Sequence, residues 1–103
     1  MQGEAIRIDS LEDLRRYVHE MICQLNDLEP GRFCMTERIL LRQHKPCGIY
    51  YCLHGPRNVK LTAIWETDRQ TILFYGSDGQ RQLRTQLVRH PVLVHRGDAQ
   101  AVA

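Results

Sequence analysis

Apolar residues recur every three or four positions over 10–28, "SLEDLRRYVHEMICQLNDL": Leu11, Leu14, Val18, Met21, Ile22, Leu25 and Leu28 form one stripe. That is the period of an amphipathic α-helix. Ser10, with Asp13 three residues on, has the form of a capping box. Glu12 precedes Arg16 by four, the favourable order for an exposed pair. Pro30-Gly31 then stops the helix. Beyond this break the period falls to two. Residues 33–43 ("FCMTERILLRQ"), 48–54 ("GIYYCLH"), 59–67 ("VKLTAIWET") and 71–76 ("TILFYG") read as strands, separated by turns at "HKPCG", "GPRN" and "DRQ". The third alternates most cleanly, with Leu61, Ala63 and Trp65 on one face and Lys60, Thr62 and Glu66 on the other. Connections this short force antiparallel neighbours, because a parallel return needs a crossover of about a dozen residues or more.

"SDG" at 77–79 breaks the sheet pattern. Over 80–89, Leu83 and Leu87 stand four apart, with Ser77 or Asp78 as a cap and His90-Pro91 as a stop. We assign this stretch to a second, thinner helix, with a fifth strand as the alternative. "PVLVH" at 91–95 reads as a short terminal strand and 96–103 as a flexible tail. The expected fold is α+β: an N-terminal amphipathic helix packed on a four-stranded antiparallel β-meander, followed by a weaker C-terminal helix, in the order α-β-β-β-β-α. Residues 1–95 form a single domain in this reading, which suits a chain of 103 residues.

Composition narrows the class. Hydrophobic residues make up 43% and charged residues 25%, as in an ordinary soluble domain. No run approaches the roughly 20 apolar residues of a membrane span. "MQGEAIRIDS" lacks the basic-then-apolar pattern of a secretory signal, so a cytoplasmic location is expected. Cys23, Cys34, Cys47 and Cys52 are then reduced thiols. The net charge of +2 hides an asymmetry: residues 1–30 hold seven acids against three arginines, and 31–103 hold eleven Lys/Arg against five acids. The basic residues are nearly all arginine, which suits planar recognition of phosphate or carboxylate.

Candidate chemistry clusters at 44–57. The run His44, Cys47, Cys52, His54 offers four plausible ligands, but its spacing, H-x2-C-x4-C-x-H, matches none of the common zinc patterns. Alternation puts Ile49, Tyr51 and Leu53 on one strand face and Tyr50, Cys52 and His54 on the other, with Cys47 continuing the first. No metal and no cofactor are expected. Cys52 and His54 share a face but stand about 7 Å apart along the strand. That is wide for the hydrogen bond that activates a thiol. His19 and Cys23, four apart on the helix, are read as a solvated face with a half-buried thiol. "GSDG" at 76–79 lacks the lysine and hydroxyl of a phosphate loop, and "RGD" at 96–98 is a chance match.

One helix cannot cover both faces of a four-stranded sheet. The second face, with Tyr50, Cys52, His54, Ile64 and Tyr75, therefore needs a second helix, a ligand or a partner. The reading that fits best is a small non-enzymatic binding or protein-interaction module that self-associates as a homodimer. Tyr50, Cys52, His54, Arg57, Trp65, Arg69 and Tyr75 are its candidate ligand or interface residues, since aromatic residues and arginine anchor interfaces. An RNA- or DNA-binding module using the arginines and sheet aromatics is one alternative. A cysteine- or histidine-dependent enzyme is the other.

Overall fold

The computed structural model describes residues 2–93. Strand β1 (Gln2–Arg7) leads into helix α1 (Leu11–Leu25), followed by β2 (Met35–Arg42), β3 (Lys45–His54), β4 (Lys60–Glu66), β5 (Thr71–Tyr75) and β6 (Arg81–Arg89). The strands form one sheet in the order β1-β6-β5-β4-β3-β2. Neighbours from β2 to β6 are antiparallel, whereas β1 runs parallel to β6, pairing Gln2 with Arg84 and Ile6 with Leu87. Ile8 N–H continues the contact with a bond to the Arg89 carbonyl at 2.8 Å. The helix thus connects the two outer strands and lies over the middle of the sheet, against β3 and β4.

This corrects the expected architecture. The sheet has six strands rather than four and is mixed rather than antiparallel, because the residues before the helix add β1. The described residues hold no second helix: 81–89 are strand β6. Leu83 and Leu87 satisfy a period of two as well as one of 3.6, and the buried, β-branched Thr85 between them decides for a strand. Asp78 does not cap a helix either, since its carboxylate accepts the Gln80 N–H at 2.9 Å within the β5–β6 turn. The expected turn at "HKPCG" is shorter and begins one residue earlier, at Gln43 and His44, both at positive φ (53° and 69°), a type I′-like reversal. Lys45, Pro46 and Cys47 already belong to β3. Residues 91–93 are not in a strand. Residues 94–95 and the tail 96–103, with its Arg-Gly-Asp, lie outside the described residues.

The core fills the space between α1 and one sheet face. Leu14, Val18, Ile22 and Cys23 of the helix meet Ile49, Tyr51, Leu53, Leu61, Ala63, Trp65, Ile72, Phe74, Leu83 and Leu87. Ser10 caps α1 by accepting the Asp13 N–H at 3.0 Å. Cys23, expected half-buried, is fully buried, and the loss of hydration raises its pKa. His19 Nε2 accepts the Gly31 N–H at 3.0 Å, so its lone pair serves the turn after the helix. Gly48 is dictated by packing: a Cβ there would run into the Trp65 carbonyl on β4.

Candidate functional site: the helix-free face

Cross-strand register orders the face opposite α1 into rows. One row runs Arg38, Tyr50, Ile64, Leu73, Arg84 across β2 to β6. The next runs Thr36, Cys52, Thr62, Tyr75, ending opposite Arg81. A shorter row pairs His54 with Lys60, and on the far side Gly48 pairs with Glu66. An apolar centre of Tyr50, Ile64, Leu73 and Tyr75 is thus flanked by Arg38 and Arg84 along its row and by Lys60 and Glu66 along β4. The four central side chains are half-buried, and among the described residues no helix lies over them. The corner near the β4–β5 turn is closed: Gln86 Nε2 donates to the Arg69 and Gln70 carbonyls at 3.0 and 3.1 Å, and Thr71 is buried.

The β2–β3–β4 corner of this face holds a shallow depression of about 380 Å³ lined by Thr36, Arg38, Tyr50, Cys52, His54 and Lys60. The Arg38 guanidinium lies 5.6 Å from the Tyr50 ring centroid, a cation–π contact. His54 Nε2 is 3.3 Å from the Thr36 hydroxyl. Cys52 is 6% exposed, hemmed in by Thr36 and Thr62 in the paired strands.

The face brings together Tyr50, Cys52, His54 and Tyr75 of the residues marked in the sequence. Trp65 belongs to the other face: it is 0% exposed beneath the helix, and its Nε1–H has no hydrogen-bond partner among the described residues. Arg57 occupies a 3₁₀ turn, Pro56–Asn58, with a left-handed backbone (φ 56°, ψ 36°). Arg69 is in the β4–β5 turn, so the two arginines stand beyond opposite ends of β4. His44 tips the β2–β3 turn while His54 ends β3, ten residues and roughly 33 Å of strand away. Among the described residues, no group of three or more His, Cys, Asp or Glu side chains is placed to hold a metal ion.

Arg38 and Glu66 were not marked as site residues from sequence, whereas Lys60 and Arg84 were among the basic residues of the nucleic-acid reading. The signal for Lys60 and Glu66 was the alternation of β4. The place of Arg84 was concealed by the helical reading of its segment. Among the described residues, Arg38, Lys60 and Arg84 make no ion pair. The surface pairs lie elsewhere: Arg15–Glu37 at 2.7 Å, Arg42–Asp68 at 2.8 Å, Arg16–Asp13 and Arg32–Glu29 near 3.3 and 3.2 Å, and Arg89–Asp9 at 3.4 Å. Among the described residues no helix is long and apolar enough to cross a membrane. No protein-family model, no curated protein and no solved structure matches the chain.

Proposed function

We propose that the protein is a non-enzymatic interaction module that self-associates through its helix-free sheet face. The observation that carries this reading is the row Arg38–Tyr50–Ile64–Leu73–Arg84: an aromatic and aliphatic centre with arginine at both ends, on a face with no helix over it. Apolar centres ringed by polar groups, with tyrosine and arginine enriched, are how protein interfaces are built. Five strands at ~4.8 Å spacing and about six residues of strand length give a face of roughly 400 Å² in projection, of which the apolar centre on β3 to β5 is less than half. A stable pair needs on the order of 800 Å² per partner, so the charged rim must join the contact. Against catalysis stands the geometry of Cys52 and His54, whose ring nitrogen engages Thr36 rather than the thiol. The setting we propose is the reducing cytoplasm, supported by Cys23 and Cys52 packing as buried, unpaired thiols.

Sedimentation equilibrium at micromolar concentration tests the reading. The wild type should run at twice its 12.1 kDa, and Ile64→Lys should run as a folded monomer. A wild type that stays at one chain mass on concentration overturns it. Single-stranded nucleic acid is a second reading, favoured by Arg38 over the Tyr50 ring with Lys60 in the same corner and Arg84 at the other end of the row. Glu66 within the same face weighs against it. A monomer that raises the anisotropy of a labelled oligonucleotide would put that reading in place of the first.

A further inference from the structure

We infer that the partner on the helix-free face is a second copy of this chain, stacked about a two-fold axis that crosses the strands at Ala63, so that Lys60 of each copy meets Glu66 of the other. The inference rests on the self-association reading above and adds the direction of the axis. Any two-fold axis parallel to the sheet brings this face against itself; the two that keep the strands of both copies aligned, as in sandwich packing, run along the strands and across them.

An axis along β4 lays each β4 residue over its own copy. Lys60 then faces Lys60, Glu66 faces Glu66, and β2 lies over β6, which sets Arg38 against Arg84 because the two share a row. Every charged contact is between like charges, which costs both affinity and specificity.

An axis across the strands reverses each strand over itself. The apolar centre comprises the Tyr50–Ile64–Leu73 and Cys52–Thr62–Tyr75 rows, and its midpoint on β4 is Ala63. Lys60 and Glu66 are each three residues from that midpoint, so the operation that centres the apolar patch also brings them together. The shapes then match as well: Tyr50 lies over Cys52, Leu73 over Tyr75, Ile64 over Thr62, and Arg38 over Thr36. His54 comes over Gly48, which has no side chain. Packed sheets stand about 10 Å apart, a gap that lysine and glutamate side chains together span. One like-charge approach remains, Arg84 with Arg81, at the rim where Arg81 is exposed and can turn into solvent.

Lys60→Glu and Glu66→Lys, prepared separately and then mixed, test the axis by sedimentation and native mass spectrometry. Each alone sets like charges at both contacts and should self-associate at least tenfold more weakly than wild type. The mixture restores opposite charges at both contacts and should form a heterodimer, as should the Lys60→Glu/Glu66→Lys double variant with itself. Circular dichroism confirms folding, which these two surface positions should leave intact. Single variants that dimerise like wild type, while Ile64→Lys does not, overturn the axis and leave the self-association reading standing. So do weakened single variants that fail to pair on mixing. A monomeric wild type overturns both.

Discussion

Tyr50 and Tyr51 are consecutive on β3, yet they belong to different layers of the molecule. Tyr51 points toward α1 and is 1% exposed. Tyr50 points away, half-buried, with Arg38 drawn over its ring. The same split divides every strand from β3 to β6. One side meets a helix, and the other carries side chains that no element among the described residues covers. A pleated strand distributes its residues by parity alone, so the sequence must supply apolar residues to both sides wherever both are to be buried. Strands buried on both faces carry near-continuous hydrophobic runs, and "GIYYCLH" and "TILFY" are such runs.

If the two faces differ as described, substitutions should separate them. Leu14→Ala, at a fully buried helix position, should cost about 2–5 kcal/mol in urea unfolding. Leu73→Ala, measured at a concentration where the chain is monomeric, should cost below about 1 kcal/mol, in the range of surface changes. Equal costs would mean that the helix-free face is as closely packed as the other. Gly48→Ala should cost about 1–3 kcal/mol, because the new methyl meets the Trp65 carbonyl and the β3–β4 pairing must shift. Ser10→Ala removes the cap of α1 alone, with an expected loss near 1 kcal/mol. It should leave self-association unchanged when assayed by sedimentation.

The smallest effect at neutral pH concerns Tyr51. Burial holds the Tyr51 phenol protonated well past the usual tyrosine range; the Glu37 carboxylate adds to this and Arg15 opposes it. The unfolded chain releases that proton near pH ~10. The stabilisation from this raised pKa is therefore intact below pH ~10 and is lost as pH rises above it. Ultraviolet titration should show one late phenolate that disappears in Tyr51→Phe, and alkaline unfolding of that variant should start at higher pH. A variant with the same alkaline transition as wild type would remove Tyr51 from the account.

Helix α1 and strands β3 to β5 were legible because each has a single strong period: the three-four stripe from Leu11 to Leu25, and the alternation around Trp65. Strand β6 was not, because leucines four apart serve either period and the deciding residue, Thr85, is polar. Strand β1 was hidden for another reason. "QGEAIR" has too little apolar content to announce itself, and its place is fixed by pairing with β6, some eighty residues away in the chain. Of the site, alternation read Tyr50, Cys52 and His54 onto one face. It also put Trp65 on the face of Leu61 and Ala63, but which face the helix would cover was not in the pattern. That Arg38, at an edge, and Arg84, in the misassigned segment, end one row followed from cross-strand register.

The parallel contact of β1 with β6 bears on how the chain folds. Strands β2 to β6 meet their sheet neighbours through short connections, so their pairing closes small loops and can proceed early. Joining Gln2 to Arg84 closes nearly the whole chain, and that entropic cost is met before the contact returns anything. The first strand should therefore dock last and leave first, as the least stable cooperative unit of the sheet. Native-state hydrogen exchange would record this as Ile6 and Ile8 amides opening at lower free energy than those of Ala63 or Phe74. Each such opening bares one side of β6, and with it a strand edge that the native sheet keeps paired.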